Sequence, residues 1–258
     1  MSLSRVFLAV VLAGLCVSAQ EPAAPGPTAK QLALVQAIGR QLEDSDGVMQ
    51  DPALSAYLTR LVEQVAAAVP AKPVEVRVTR TWRPYADVLP QGVLYLSAGM
   101  FDKLENEAQL VGLLAHELAH KRATVLTASP DGQTIPLYVP ACGFFSPLVA
   151  GYGLRAGQSS SRREAEIEAT KAAMAAVERM GYDPRAIVDL VASLPRMTRL
   201  GVREVIVNLR GAAEAAPTPV QVNSSEFVAR QAAVRAALVQ VANPPSLFRN
   251  TGGSDNAR

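Results

Sequence analysis

The sequence has few of the residues on which several common protein classes depend. Its 258 residues include two cysteines, too few for a disulfide scaffold, and aromatic side chains make up only 5%. The formal net charge is +2 and no block of lysine or arginine occurs, which argues against a nucleic-acid-binding protein that relies on neutralising phosphates. Hydrophobic residues make up 49%, which excludes a largely disordered chain and provides enough apolar surface for one core.

Histidine is equally scarce, and both histidines lie in one motif. His116-Glu117-Leu118-Ala119-His120 is an HExxH sequence inside a segment, from Glu105 to about Ala123, with helical spacing of its apolar residues. Residues four apart share one face of a helix, so both imidazoles can reach one metal ion. Glu117 lies beside that face, where it can take a proton from water. Two neutral imidazoles suit zinc, which needs at least one more protein ligand and an open position for catalysis.

The third zinc ligand cannot be a histidine, because the chain has no other. Cys142 is one alternative. A carboxylate is the other, and the predicted helix from Arg163 to Met180 has three near its start. Spacing alone does not choose among them: Glu164, Glu166 and Glu168.

The first 19 residues are typical of an export signal. A short positive region and an apolar run from Val6 to Val17 lead to a Val-Ser-Ala cleavage pattern. The alternative is an uncleaved membrane anchor, although the run is shorter than the ~20 residues of a spanning helix. Cleavage after Ala19 removes Cys16 and leaves Cys142 alone, so the mature chain would form no internal disulfide. We therefore expect export to the bacterial periplasm or cell envelope, with association with the membrane as an option.

The other patterns predict an α+β fold that is mainly helical. Alternating valines from Val74 to Val78 predict a half-buried strand, and Val93 to Ser97 predicts a second one. Glu204 to Asn208 is interpreted as a further strand. Five more helices are predicted: Thr28 to Leu42, Pro52 to Val69, Arg163 to Met180, Asp183 to Leu194, and Ser225 to Val241.

One uncharged segment, Thr134 to Leu154, is long enough to span a bilayer by its length alone. Its three prolines and three glycines argue against a regular spanning helix. We interpret it as an apolar loop or hairpin that covers the zinc cleft. The alternative is a surface that contacts the membrane or receives substrate.

Three segments between Tyr85 and Glu168 carry a family resemblance. The first runs from Leu89-Pro90-Gln91-Gly92 to Phe101, the second from Glu107 to His120, and the third from Arg163 to Ala169. They resemble, in turn, a glycine-rich turn with its edge strand, a zinc helix, and an Arg-x-x-Glu-x-Glu-Ala-Asp segment. All three are typical of the HtpX, Oma and CAAX-prenyl-protease type of zinc metallopeptidase, metallopeptidase family M48, within the gluzincins.

The resemblance implies a zincin-like core with a small β-sheet whose edge strand, Val93 to Ser97, flanks the HExxH helix. It implies one zinc ion per chain on His116, His120 and Glu166, with Glu117 as the catalytic general base. An extended polypeptide would bind by adding a strand to that edge. The implied activity is that of a zinc metalloendopeptidase acting on unfolded or membrane-associated envelope proteins.

Two departures from the family pattern favour a second function. Thr170 stands where the family has an aspartate that supports the zinc site, and a hydroxyl carries no charge. No histidine occurs where the family has a His-Pro motif near the substrate oxyanion, and the possible substitutes are Arg196, Arg199 or Tyr182. The alternative is therefore a weakened peptidase relative that binds zinc and acts mainly as a chaperone or assembly factor.

These patterns divide the chain into five parts. We expect a signal peptide at 1–19, a Pro-rich linker at 20–27, a zinc metallopeptidase domain at 28–200, a C-terminal extension at 201–242 and a disordered tail at 243–258. The expected partner is a polypeptide substrate and not nucleic acid, with contact to a membrane surface through residues 134–154 as an option.

Overall fold

A computed structural model describes residues 29–89, 92–120, 122–128, 134–140, 159–194, 201, 203–213 and 223–242. The expected signal peptide, linker and C-terminal tail lie outside these residues. So do Cys142, Arg196, Arg199 and the part of the uncharged segment that follows Pro140.

The described residues form eight helices and five strands. The helices are α1 (Ala29–Asp46), α2 (Pro52–Ala68), α3 (Ala98–Lys103), α4 (Glu107–Ala119), α5 (Ser159–Arg179), α6 (Arg185–Ser193), α7 (Arg203–Ala213) and α8 (Ser225–Ala242). The strands are β1 (Glu75–Thr79), β2 (Ala86–Leu89), β3 (Val93–Ser97), β4 (Arg122–Ala128) and β5 (Thr134–Pro140). The predicted α+β class, mainly helical with a small sheet, is confirmed.

The small sheet has the order β1-β3-β2, and β4 pairs with β5 in a separate antiparallel hairpin. Strand β3 is central, because Val93 lies opposite Glu75 in a parallel pair and opposite Leu89 in an antiparallel pair. The prediction that Val93–Ser97 is an edge strand is therefore wrong. A turn at Gly92, with φ of 84°, brings β2 against β3 locally, whereas the parallel partner β1 comes from a more distant part of the chain. The edge strand that flanks α4 is β2.

Helix α4 is surrounded by protein on most sides. It packs against α2, α5, α6 and β2, and four of its apolar side chains are fully buried: Leu110, Val111, Leu113 and Leu114. Gly112 permits the close approach of α6, because a Cβ atom at this position would lie 2.5 Å from the Cβ of Ile187. Burial on several faces fixes both the rotation and the depth of this helix.

Residues 204–208, interpreted above as a strand, belong to helix α7. Ile206 is fully buried, and Leu209, three residues later, also packs against the core. This helical spacing lets α7 pack on α6 and α5. The strand interpretation gave weight to the β-branched residues of this segment, and tertiary packing overrides that local preference.

Helix α8 forms where Ser225 to Val241 predicted a helix, and it packs against α3 and α2. The rings of Phe227 and Phe101 are 6.0 Å apart, and Gln231 donates a hydrogen bond of 2.6 Å to the carbonyl oxygen of Leu104. Across the described part of the chain, the helices are too short or too polar to cross a bilayer.

Candidate active site

The HExxH motif forms the last turn of α4 and the residue that follows it. The helix begins at its N-cap Asn106, whose side chain accepts a hydrogen bond of 2.9 Å from the Gln109 amide, and it ends at its C-cap His120. Both histidines are buried, and their Nε2 atoms are 2.9 Å apart. Their rings stand almost perpendicular, at 84°. The i, i+4 spacing thus brings both imidazoles to one point, as the sequence predicts.

Helix α5 brings one carboxylate to this point. Glu166 Oε2 lies 3.2 Å from His116 Nε2 and 3.8 Å from His120 Nε2, and the Glu166 side chain is only 1% exposed. Glu164 and Glu168 are exposed, and Glu168 pairs instead with Lys171 at 2.9 Å. Of the three carboxylates that spacing left open, Glu166 is therefore the one that meets the histidines.

Glu117 is buried beside the same two histidines. One ligand atom from each of His116, Glu117 and His120 lies within 4.8 Å of the other two. Because Glu117 follows His116 directly, it occupies a neighbouring face of the helix and leaves the Nε2 atoms to face Glu166. Its carboxylate is therefore close enough to the histidines to serve as a proton acceptor beside a metal ion.

Thr170 lies one helical turn after Glu166 and is fully buried. Its hydroxyl donates a hydrogen bond of 2.7 Å to the carbonyl oxygen of Glu166, and Oγ1 is 3.4 Å from His116 Nδ1. The position that departs from the family pattern is thus in contact with His116 and not with solvent.

The donor set fits a zinc ion. Two imidazole nitrogens and one carboxylate oxygen form a His₂Glu set of the kind that catalytic zinc sites use. Ligand atoms of one tetrahedral zinc ion lie about 3.3 Å apart, given zinc–ligand distances of about 2.0–2.1 Å. Their separations of 2.9, 3.2 and 3.8 Å are close to that value.

The opposite end of α4 carries a second buried carboxylate, which was not recognised from the sequence. Glu107 is 3% exposed, and it accepts hydrogen bonds from the Tyr57 hydroxyl at 2.7 Å and from the Ser224 amide at 2.7 Å and hydroxyl at 2.9 Å. The sequence feature that could have indicated this buried carboxylate is an acidic residue at the start of an almost wholly apolar helix.

Tyr182 belongs to that end of the helix and not to the histidine pair. Burial, together with the charge and hydrogen bonding of Glu107, raises the pKa of Tyr182 to about 12. Glu107 precedes His116 by nine residues, which is about 13 Å along the helix axis. Tyr182 is therefore poorly placed to stabilise an oxyanion at the histidines, one of the roles considered for it above.

Comparisons with known proteins agree with this geometry. Residues 50–129 match the family model of peptidase family M48, a range that includes α2, the three-stranded sheet and the HExxH helix. The resemblance to peptidase family M48 is confirmed. The match ends before Glu166, so the meeting of this carboxylate with the histidines is an independent observation from the structure.

Two relatives of this M48-like chain carry the name Beta-barrel assembly-enhancing protease, one from Escherichia coli (strain K12) and one from Shigella flexneri. The chain is 26% identical to each over 181 residues. The alignment covers 64% of this chain and 37% of each relative, so the chain spans little more than a third of their length. The M48 match and the buried His-Glu-His group together support a metallopeptidase.

Proposed function

We propose that the chain is a zinc-dependent metalloendopeptidase, exported to the periplasm or cell envelope, that hydrolyses peptide bonds in unfolded or membrane-associated envelope proteins. The observation that carries this proposal is the meeting of three donor atoms from two helices. His116 Nε2, His120 Nε2 and Glu166 Oε2 surround one point, and Glu117 lies beside it.

Each residue then has a distinct chemical role. His116, His120 and Glu166 would hold zinc, which when bound polarises the scissile carbonyl and makes water more acidic. The Glu117 carboxylate accepts a proton from the attacking water, whose oxygen forms the new bond to the carbonyl carbon. Glu117 then returns the proton to the amine nitrogen as the C–N bond breaks. Burial of the site strengthens these electrostatic interactions because few water molecules screen them.

The position of the edge strand supports the proposed substrate class. Within the described strands β2 pairs only with β3, and it contacts the helix that carries the histidines. A polypeptide added to β2 must be extended, so unfolded segments fit better than folded proteins. Strand β5 lies close to β2 without joining its sheet, which supports the interpretation of the uncharged segment as a cover for the cleft.

The N-terminal signal pattern supports export. The two relatives are named for enhancing beta-barrel assembly, and an exported peptidase with a related role would meet incompletely folded envelope proteins.

One observation favours the second candidate, a weakened relative that acts mainly as a zinc-binding chaperone or assembly factor. The neutral side chain of Thr170 contacts His116, where the family pattern has an aspartate. A neutral partner increases the donor strength of an imidazole less than a carboxylate does.

Metal analysis combined with casein cleavage distinguishes these functions. The peptidase proposal expects about one zinc ion per purified chain, and casein cleavage that stops with a chelator and returns with added zinc. Stoichiometric zinc without cleavage would support the second candidate instead. Protein purified without zinc, and unable to bind added zinc, would contradict both.

A further inference from the structure

The only tryptophan of the chain is exposed to solvent and lies between two exposed arginines. Trp82 is 73% exposed, and Arg80 and Arg83 are exposed on either side of it in the sequence. All three lie in the connection between β1 and β2, residues 80–85, which we call the Trp82 loop. Tryptophan has one of the largest apolar side chains, so its transfer out of water is favourable wherever a suitable partner is available.

The backbone of the Trp82 loop is held in place by hydrogen bonds on both sides of Trp82. The Gly99 amide donates to the carbonyl oxygen of Thr81 at 3.0 Å. The Tyr85 amide donates to the Ser97 hydroxyl oxygen at 2.9 Å, and the Tyr85 carbonyl oxygen accepts from the Ser97 amide at 3.0 Å. The loop therefore presents Trp82 from a fixed backbone, which lowers the entropy lost when a partner binds it.

The two arginines of the Trp82 loop lie next to the same end of α1. The Arg83 guanidinium is 3.8 Å from the Asp46 carboxylate, and Cδ of Arg80 is 3.6 Å from the position that a Cβ atom would occupy at Gly47. The Asp46 side chain is 7% exposed, whereas that of Arg83 is 60% exposed. Two cations and one largely buried anion leave this surface positive, so the guanidinium groups can meet further anions.

We propose that the Trp82 loop docks on the surface of an anionic lipid membrane. Tryptophan rings are enriched at the membrane–water interface, where the apolar body of the ring and its N–H group both find suitable surroundings. Arginines next to the ring would pair with the phosphate groups of the lipids. One ring and two cations give a weak, reversible contact rather than an anchor. This contact is separate from the uncharged segment considered above, and it depends on neither zinc nor peptidase activity.

The surroundings of Trp82 favour a lipid surface over a protein partner. A stable protein interface buries about 800 Å² on each side, with a core of several apolar residues. The Trp82 loop offers one exposed large hydrophobic side chain. The others in the described part of the chain lie on α7 and α8: Val205, Val207, Val228 and Val239. A single ring among cations is enough for a lipid interface, because the ring inserts between headgroups without needing a matching apolar patch.

The single tryptophan makes this contact directly observable by fluorescence. The full chain is titrated with vesicles made of equal parts of phosphatidylglycerol and phosphatidylcholine, or of phosphatidylcholine alone. With anionic vesicles, the Trp82 emission should shift to shorter wavelength, and lipids brominated near the headgroup should quench it. Raising the salt concentration from about 0.05 M to about 0.5 M should release most of the protein, because salt screens the arginines.

Variants separate the contributions of the ring and of the charges, with co-sedimentation on anionic vesicles as the readout. Trp82→Ala should lower the partition coefficient by at least about 10-fold. Arg80→Gln combined with Arg83→Gln should lower it by about fivefold for each arginine, which corresponds to about 1 kcal/mol for each charge. The controls are Val205→Ala, which removes an exposed apolar side chain on α7, and Arg60→Gln, which removes an exposed arginine on α2. Both controls should bind the vesicles as wild type does.

Thermal unfolding followed by circular dichroism checks that the variants are folded, and exposed positions should change Tm little. Four results would overturn the proposal. They are the absence of an emission shift with anionic vesicles, bound protein whose Trp82 is not quenched, equal partition of Trp82→Ala and wild type, and an emission shift that grows with protein concentration without lipid. The second would place the membrane contact in another segment, and the fourth would indicate that a second copy of the chain covers the loop.

Discussion

The hydroxyl of Tyr57 donates a hydrogen bond of 2.7 Å to Glu107, the first residue of the helix that carries both histidines. Ser224 donates to the same carboxylate through its amide and its hydroxyl. The start of α4 is therefore tied to α2 and to the segment that precedes α8. Because α4 is a rigid rod, this end helps to set the position of the histidines at the other end.

Tyr57→Phe should destabilise the protein at neutral pH by about 1–3 kcal/mol, because the buried carboxylate of Glu107 loses a donor. The pH dependence should change as well. Burial, and then the hydrogen bond and charge of Glu107, raise the pKa of Tyr57 above its ordinary value. A raised pKa contributes stability that is complete below the unfolded pKa of about 10 and declines as the pH rises above it.

Denaturant unfolding at about pH 8 and about pH 11 tests both parts of this prediction. The wild type should lose more free energy of unfolding between the two values than Tyr57→Phe loses. Identical losses in the two proteins would show that ionisation of Tyr57 does not drive the alkaline decline.

Glu117→Gln should retain zinc and lose casein cleavage by at least about 100-fold, the lower range for removal of a general base. The amide keeps the shape of the side chain and cannot accept the proton from water. Zinc content and cleavage rate are measured on the same preparation. Glu164→Gln is the matched control, because Glu164 is an exposed glutamate on α5, and its activity should equal that of wild type. A Glu117→Gln protein that still cleaves casein would remove the proposed base.

Glu166→Ala should weaken zinc binding by more than the about 10- to 100-fold typical of residues that only support a ligand. The reason is that its Oε2 atom lies 3.2 Å from His116 Nε2. Glu164→Ala and Glu168→Ala are controls from the same helix, and both should bind zinc as wild type does because their side chains are exposed. Equal affinities in all three variants would mean that the third ligand is a different residue.

Thr170→Asp should tighten zinc binding by about 10- to 100-fold and raise peptidase activity, since a carboxylate at Nδ1 of His116 increases the donor strength of the ring. A chelator competition with wild type provides the comparison. Unchanged or weaker binding would indicate that the added charge is poorly compensated in this buried position, and that the family pattern does not transfer to it.

Local patterns in the sequence predict the HExxH helix well. The spacing of His116 and His120 requires only one helix, whose apolar residues are clear, so the histidine pair follows from local geometry. Glu166 required the family resemblance, because three glutamates on one helix have similar spacing and only the packing of α5 on α4 distinguishes them.

Relations between distant segments are the part that the sequence did not predict. The central place of Val93–Ser97 in the sheet depends on its parallel pairing with Glu75–Thr79. The alternation of apolar and polar residues within one strand does not show which strands will be its neighbours. The helix at Arg203–Ala213 depends on the burial of Ile206 against α5 and α6, which outweighs the strand preference of its β-branched neighbours. The buried carboxylate of Glu107 accepts hydrogen bonds from Tyr57 and Ser224, which lie far from it along the chain, so its role could not be read from neighbouring residues.

The position of both histidines at the end of α4 has an electrostatic consequence. Peptide dipoles in a helix add up to about half a negative charge at its C-terminal end, which attracts cations placed within the last turn. His116 lies in that turn and His120 caps it, so a metal ion between them is attracted by the backbone itself. This attraction survives every side-chain substitution discussed above that leaves α4 folded, and Glu166→Ala should therefore keep more affinity for divalent cations than two histidines alone would provide.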